Sequence, residues 1–318
     1  MRARPAVRAR TAPRTRPAVR TRPAVRARPG VRARSALLGV AGVMLLALVW
    51  ELYKAVGPAT GVVIGGATVL PRTSDLAMPH LVTMFARLGD PITSTPGSPV
   101  LWSAVVAAAG FTLGIAAVGW IVGVVVGFLL ALVMQRFRTA ESTLLPWIVL
   151  SQTVPLIALA PLVADIGSQV RFGEARWQDW MSVALIASYL AFFPVSIGAL
   201  RGLESPDAAH VELMHTYSVG WWKTLIHLRL PASIPFLLPA LRLAAASAVV
   251  GTVVAEVSIG LSGGVGRMMV EYASASSGDP GKPWAPIFGA IIIGLVSAGF
   301  VALLGLALAR YRKGEVNA

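Results

Sequence analysis

Residues 112–134 read TLGIAAVGWIVGVVVGFLLALVM, a run without one charged side chain. A bilayer hydrocarbon core about 30 Å thick is crossed by roughly 20 apolar residues in a helix, which satisfies its own backbone hydrogen bonds away from water. The run is therefore expected to be a transmembrane helix. Five more stretches are of spanning length and mainly apolar: Ala36–Val56, Leu144–Val163, Met181–Leu200, Phe236–Val257 and Ile287–Leu306. Gly119, Gly123 and Gly127 recur every four residues within the quoted run, which predicts a face of close helix packing rather than a seam between two copies. The fold class that follows is all-α: a polytopic membrane protein with six transmembrane helices.

Composition agrees. The chain has 318 residues, 56% hydrophobic and only 13% charged, with a mean hydropathy of +0.71, too little charge to cover a soluble domain of this size. With no cysteine, disulfides, thiolate metal sites and thiol nucleophiles are excluded. The four histidines, His80, His210, His215 and His227, are scattered, so no metal cluster is expected. The formal net charge of +14 is local: residues 1–35 hold twelve Arg and no acid, leaving 16 basic against 14 acidic residues elsewhere. Arg-Pro-Ala-Val recurs at Arg4–Val7, Arg16–Val19 and Arg22–Val25, and such a Pro-rich, self-repelling segment is expected to be disordered. Three roles compete for it: a solvated extension that reinforces orientation, contact with anionic membrane lipid, and nucleic-acid binding. The last is disfavoured because no aromatic residue interleaves to stack on bases. A cleaved signal peptide is disfavoured by the length of the basic region.

The expected organisation is a tail over 1–35, a first helix and outer loop over 36–100, a transmembrane domain over 101–310 and a cytoplasmic C-terminal tail over 311–318. Basic residues set the orientation. Six spans put both termini on one side, and if that side is the cytoplasm its segments collect 20 Lys and Arg, including Arg136, Arg138, Arg201, Lys223 and Arg229. The opposite segments collect seven, and Arg242 falls inside the fifth span.

The connection over 201–235 is too polar to span and too long for a tight turn. Ser205-Pro206-Asp207 has the composition of a helix start, with Ser205 as N-cap. Val211, Met214 and Tyr217 then recur every third residue on one apolar face, beside Glu212. Past Ser218 and Gly220 a second short amphipathic piece, Trp221–Leu230, is expected to end at Pro231. Two short helices joined by a bend on the cytoplasmic face suit docking onto another protein.

This loop resembles that of binding-protein-dependent ABC importer permeases, whose motif runs Glu-Ala-Ala, three residues, Gly, nine residues, Ile, one residue, Leu-Pro. Glu212 stands at the Glu, Leu213 and Met214 replace the alanines, Ser218 stands at the Gly, Leu228 at the Ile, and Leu230-Pro231 matches Leu-Pro. Since Gly220 follows two residues later, the bend is expected to shift there. Pro146 through Pro161, Phe192-Phe193-Pro194-Val195, Gly202-Leu203, Leu241-Arg242, Val254-Ala255-Glu256 and Gly264-Val265-Gly266 resemble the nitrate, sulfonate, taurine and pyrimidine-precursor subgroup. The resemblance implies a type I importer permease whose loop is a coupling helix seated on an ATPase subunit. It also implies an extracytoplasmic solute-binding protein, a second permease copy and a bacterial plasma-membrane location.

Polar residues inside spans are candidates for the solute path: Gln152, Thr153, Pro155, Ser188, Tyr189 and Glu256, although interhelical hydrogen bonding explains most of them equally well. No P-loop, nucleophile elbow or His-Glu-x-x-His occurs. The chain is therefore expected to be no enzyme and to hold no cofactor, with ATP bound by its partner. The alternative is a self-contained carrier or channel, which would have no use for the loop spacing.

Overall fold

The computed structural model describes residues 29–173, 175–276 and 278–307; the Arg-rich repeats before Pro29 and the residues after Ala307 lie outside them. Contacts divide the chain into two units, up to Leu52 and from Tyr53 onward. The first unit's described part is wholly helix α1 (Pro29–Val56), whose last turn belongs to the second unit. In chain order there follow hairpin strands β1 (Val62–Ile64) and β2 (Ala67–Leu70), helices α2 (Leu81–Leu88), α3 (Leu101–Arg136), α4 (Arg138–Ser151) and α5 (Leu156–Ser168), strands β3 (Arg171–Phe172) and β4 (Ala175–Arg176), then α6 (Asp179–Leu203). Helices α7 (Ala208–Thr216), α8 (Trp221–Thr224), α9 (Leu230–Ile259), α10 (Val265–Ser274) and α11 (Ala285–Ala307) complete the described residues. Five helical segments are long and apolar enough to cross a membrane, and the bent pair α4–α5 makes six.

Helices α3, α6 and α9 form the centre, with α11 against α3 and α9 and α5 against α6 and α9. The glycine face closes α3 onto α6. A Cβ on Gly123 would stand 2.6 Å from the Ala191 Cβ, and one on Gly127 would stand 2.5 Å from the Phe192 carbonyl. Gly119 meets Ala187 and the Ala184 carbonyl in the same way. These glycines therefore serve packing within the chain, as their spacing predicts.

Two spans differ from expectation. The third is two helices bent by 101° at residues 152–155. Pro155 has no N–H to return to the Ser151 carbonyl, and that oxygen accepts instead from the Val154 N–H at 3.3 Å and from the Tyr189 hydroxyl. The pair still traverses the bundle. Ile148 of α4 clusters with Met134, Leu200 and Leu203 at one end, while Ala160 of α5 clusters with Ile115 and Val183 nearer the other. The fifth span does not begin afresh after Pro231: Trp221–Ile259 is one continuous helical segment. Residues Leu225–Arg229 form a π turn in which the Leu230 N–H bonds Leu225 O. The wide turn ends just before Pro231, which lacks the N–H to continue the ordinary ladder, so the helix runs on instead of stopping.

The segment expected to be a plain outer loop, 57–100, is folded. Lys54 at the end of α1 bonds the Thr73 carbonyl and pairs with Asp75 at 2.6 Å. Arg87 of α2 pairs with Asp279 at 2.6 Å, and the Lys282 ammonium reaches the Ile92 carbonyl and lies 4.8 Å from the Tyr272 ring centroid. These links tie the segment to α10 and to the turn that precedes α11.

Candidate functional site

The loop between α6 and α9 is anchored at both ends. At the α6 end, Ser205 does not cap a helix as expected. Its hydroxyl donates to Gly202 O and Ala232 O, and the N-cap moves to Asp207, which makes no side-chain cap bond. The Arg229 guanidinium donates to Leu203 O at 2.9 Å, holding the start of α9 against the end of α6. The Trp221 indole donates to the Gln135 side chain, and the Arg136 guanidinium lies 5.5 Å from its ring. Thr224 and Leu225 are buried there. Leu228 and Leu230 are half-buried and Pro231 is exposed. Partial burial, then Glu141, push the Glu204 carboxyl above its ordinary value, against the pull of Arg229.

Between these anchors α7 buries no residue. Val211 and Met214 are half-buried, whereas Glu212, Leu213 and Tyr217 face outward, Tyr217 being 75% exposed. The expected single stripe is therefore divided. Tyr217 lies just past the helix end, and Leu213, Trp222 and Ile226 are likewise exposed apolar residues that the i, i+3 reading missed. Their signal is the i, i+4 spacing of Leu213 with Tyr217 and of Trp222 with Ile226.

The bend is at Ser218, not Gly220. Ser218 has φ +54°, the only non-glycine in the left-handed region among the described residues. Gly220 is extended, with φ −65° and ψ 160°. The Ser218 N–H bonds His215 O and the Val219 N–H bonds Met214 O, both at 2.9 Å. These two bonds define a Schellman ending with Ser218 at the left-handed position. The intact spacing of the motif thus fixes where the backbone reverses, and the position is one where glycine carries no Cβ penalty.

The six path candidates do not make one wall. Gln152 is half-buried at the α4–α5 bend, and Thr153 and Pro155 are exposed there. Tyr189 meets Ser151 beside them. Ser188 is buried and spends its hydroxyl on Leu185 O. Glu256 is 0% exposed and lines no open surface in this structure. Its carboxylate accepts from the Thr112 hydroxyl at 2.8 and 3.1 Å and from the Gly266 N–H at 2.8 Å, and Thr112 accepts in turn from the Val265 N–H. Any side chain at Gly264 or Gly266 would collide with it. Glu256 thus pins the start of α10 to α3 and α9.

The packed helices from Tyr53 onward thus carry a short helix with no fully buried residue on a loop anchored at both ends. The family described as binding-protein-dependent transport system inner membrane component matches residues 123–313, and the chain belongs to it. It is similar to the formylaminopyrimidine transport permease protein ThiX of Halalkalibacterium halodurans, 32% identical over 208 residues, covering 64% of this chain and 77% of that one. Similarity to the putative aliphatic sulfonates transport permease protein SsuC of Bacillus subtilis is 30% over 273 residues, 85% and 87% of the two chains. The riboflavin transport system permease protein RibX of Chloroflexus aurantiacus is 27% identical over 128 residues, 40% and 44%. The chain is the membrane-spanning subunit of an ABC importer, a multi-pass plasma-membrane protein and not an enzyme. It works with ABC ATPase subunits and a binding protein that delivers solute.

Proposed function

We propose that α7 and the turn after it dock on the ATPase subunit and pass its motion to α6 and α9. The observation that carries this reading is that α7, nine residues long, fully buries none of them in its own chain and leaves all but Val211 and Met214 exposed. A helix this short is marginal alone in water, and the exposed Leu213 and Tyr217 gain burial only against a partner. Glu212, Leu213 and Tyr217 make the contact; Val211, Met214 and Ser218 shape the helix and its end; Gly220, Leu228, Leu230 and Pro231 lead into α9. The loop faces the cytoplasm, as do both termini, because it and the α3–α4 turn carry the basic excess. One chain supplies half a pathway, so a second copy completes it, with membrane lipid around the pair. The chain holds no cofactor; ATP binds the partner. Gln152, Thr153, Pro155 and Tyr189 at the bend border the path. The named relatives carry a pyrimidine, aliphatic sulfonates and riboflavin, which supports a small polar organic solute here.

Reversing Glu212 to Lys tests the docking. The residue is exposed, so folding is expected to change by no more than about 0.5 kcal/mol. Burying a mismatched charge at an interface costs several kcal/mol, and ATPase co-purification and uptake are expected to fall at least tenfold. Wild-type values for both in a normally inserted variant would refute the docking.

A further inference from the structure

Arg242 carries a charge that coupling does not use. It is an exposed residue on α9, at the edge of a groove of about 540 Å³ between α9 and α11. The walls are small and apolar, including Ala246, Val250, Gly294 and Ala298. A second apolar cavity of about 200 Å³ shares Ala245, Val249 and Ser297 with this groove and extends toward Trp120 and Phe300. The guanidinium lies over Gly305 of α11, where an added Cβ would stand 3.4 Å from Nη2. Among the described residues Arg242 has no acidic partner. An arginine within an apolar span is costly unless it meets an anion or reaches the interface.

Its depth follows from the packing. Gly198 of α6 lies against Ala240 of α9, so Arg242 stands roughly 10 Å along the bundle from the α6 end at Leu203, at 1.5 Å per residue. An arginine side chain can bridge most of that distance toward the headgroup layer. The groove thus has one cation near the α7 end and apolar walls running away from it for about 12 Å along both helices. This pattern complements an amphiphile with an anionic head and an acyl chain. A small polar solute would find one charge and hardly any hydrogen-bonding wall.

We propose that the α9–α11 groove is a binding site for an anionic phospholipid of the leaflet at the α7 end. The phosphate sits on the Arg242 guanidinium, which can donate two parallel N–H bonds to it, and one acyl chain lies along Ala246, Val250 and Ala298. Naming that leaflet cytoplasmic rests on the orientation proposed above; the site itself does not.

The test is native mass spectrometry of the full permease–ATPase complex, titrated with phosphatidylglycerol against a phosphatidylcholine background. Wild type and Arg242→Lys are expected to retain phosphatidylglycerol. Arg242→Gln is expected to bind it about fivefold more weakly, the effect of one basic residue at a charged lipid surface. Ala298→Phe fills the groove without touching the charge and is expected to lose the lipid as well. The Arg-rich N-terminal segment is identical in every variant, so its own lipid binding cancels. Equal retention in wild type and Arg242→Gln, or undiminished retention in Ala298→Phe, would overturn the proposal. So would displacement of the lipid by inorganic phosphate alone, which would mark a soluble-anion site. ATPase co-purification is scored on the same samples, so failure of the coupling reading and failure of the lipid site appear as separate results.

Discussion

Replacing Ser218 with glycine should tighten the end of α7. Ser218 holds φ +54°, a region that costs an L-residue about 1–2 kcal/mol. Glycine removes that cost but loses about 0.5–1 kcal/mol more backbone entropy on ordering. The net gain expected is about 0.5–1 kcal/mol, or roughly twofold to fivefold in the opening equilibrium of the turn. Because α7 has no fully buried residue, it is expected to open locally without the bundle, and global melting will not report the change. Hydrogen exchange will: the Val219 amide, bonded to Met214 O at 2.9 Å, should exchange about twofold to fivefold more slowly in Ser218→Gly. It should exchange faster in Ser218→Val, whose β-branch suits a left-handed residue poorly. Gly220 is the control. Its backbone is extended and a Cβ there would meet nothing within 4 Å, so Gly220→Val should change exchange by less than about twofold, within the range of ordinary surface changes. Unchanged or faster exchange in Ser218→Gly, or an effect of Gly220→Val as large as that of Ser218→Val, would refute the placement of the bend.

Gly123→Ala should destabilise the bundle by about 1–3 kcal/mol through overpacking against α6, while Gly114→Ala on the same helix, with nothing within 4 Å of its Cβ, should be neutral; thermal unfolding in detergent separates them, and equal melting points would contradict the packing face. Single cysteines at the exposed positions Thr139 and Ser168 should label from the cytoplasm and from outside respectively, and the reverse pattern would invert the orientation. The hydrogen bond and then the charge of Lys54 hold the Asp75 carboxyl below its ordinary value. The stabilisation it gives the β1–β2 segment is therefore present above the unfolded pKa and lost as pH falls through the lowered folded value. Proteolysis within residues 57–75 should increase across that acidic window in wild type, and a profile identical to that of Asp75→Asn would show that the pair contributes nothing.

The spans and the glycine face were legible because both are written locally: apolar runs of the right length, and small residues at the helical repeat. Which proline breaks a helix was not. Pro146, Pro161, Pro194, Pro235 and Pro239 all lie inside helices, and the sharp bend comes only at Pro155, where Tyr189, thirty-four positions away, donates to the Ser151 carbonyl beside the Val154 N–H. A donor so distant in sequence leaves no local mark. The start of α7 was misplaced for the same reason, since Ser205 has a better acceptor in Gly202 O, with Ala232 O on the far side of the loop, than the helix start could offer. Glu256 was visible as an anomaly within a span, but its partners, Thr112 and the first turn of α10, come together only in the folded chain.

Under the docking proposed for α7, the tertiary bonds that sequence could not place are the ones that bear on coupling. Ser205 ties the end of α6 to Ala232, and Arg229 ties the start of α9 to Leu203. A load on α7 would therefore reach both transmembrane helices together rather than α6 alone. The π turn at Leu225–Arg229 lies between α8 and the long run of α9, the kind of single-turn irregularity frequent at functional sites. Further along α9, Glu256 grips α3 and α10, so a rigid α9 would deliver to α10 whatever displacement enters at the loop. On this reading the strength of coupling lies in two hydrogen-bonded clamps about 40 Å apart along one helix, by its rise of 1.5 Å per residue from Arg229 to Glu256, and the bundle between them needs only to stay packed.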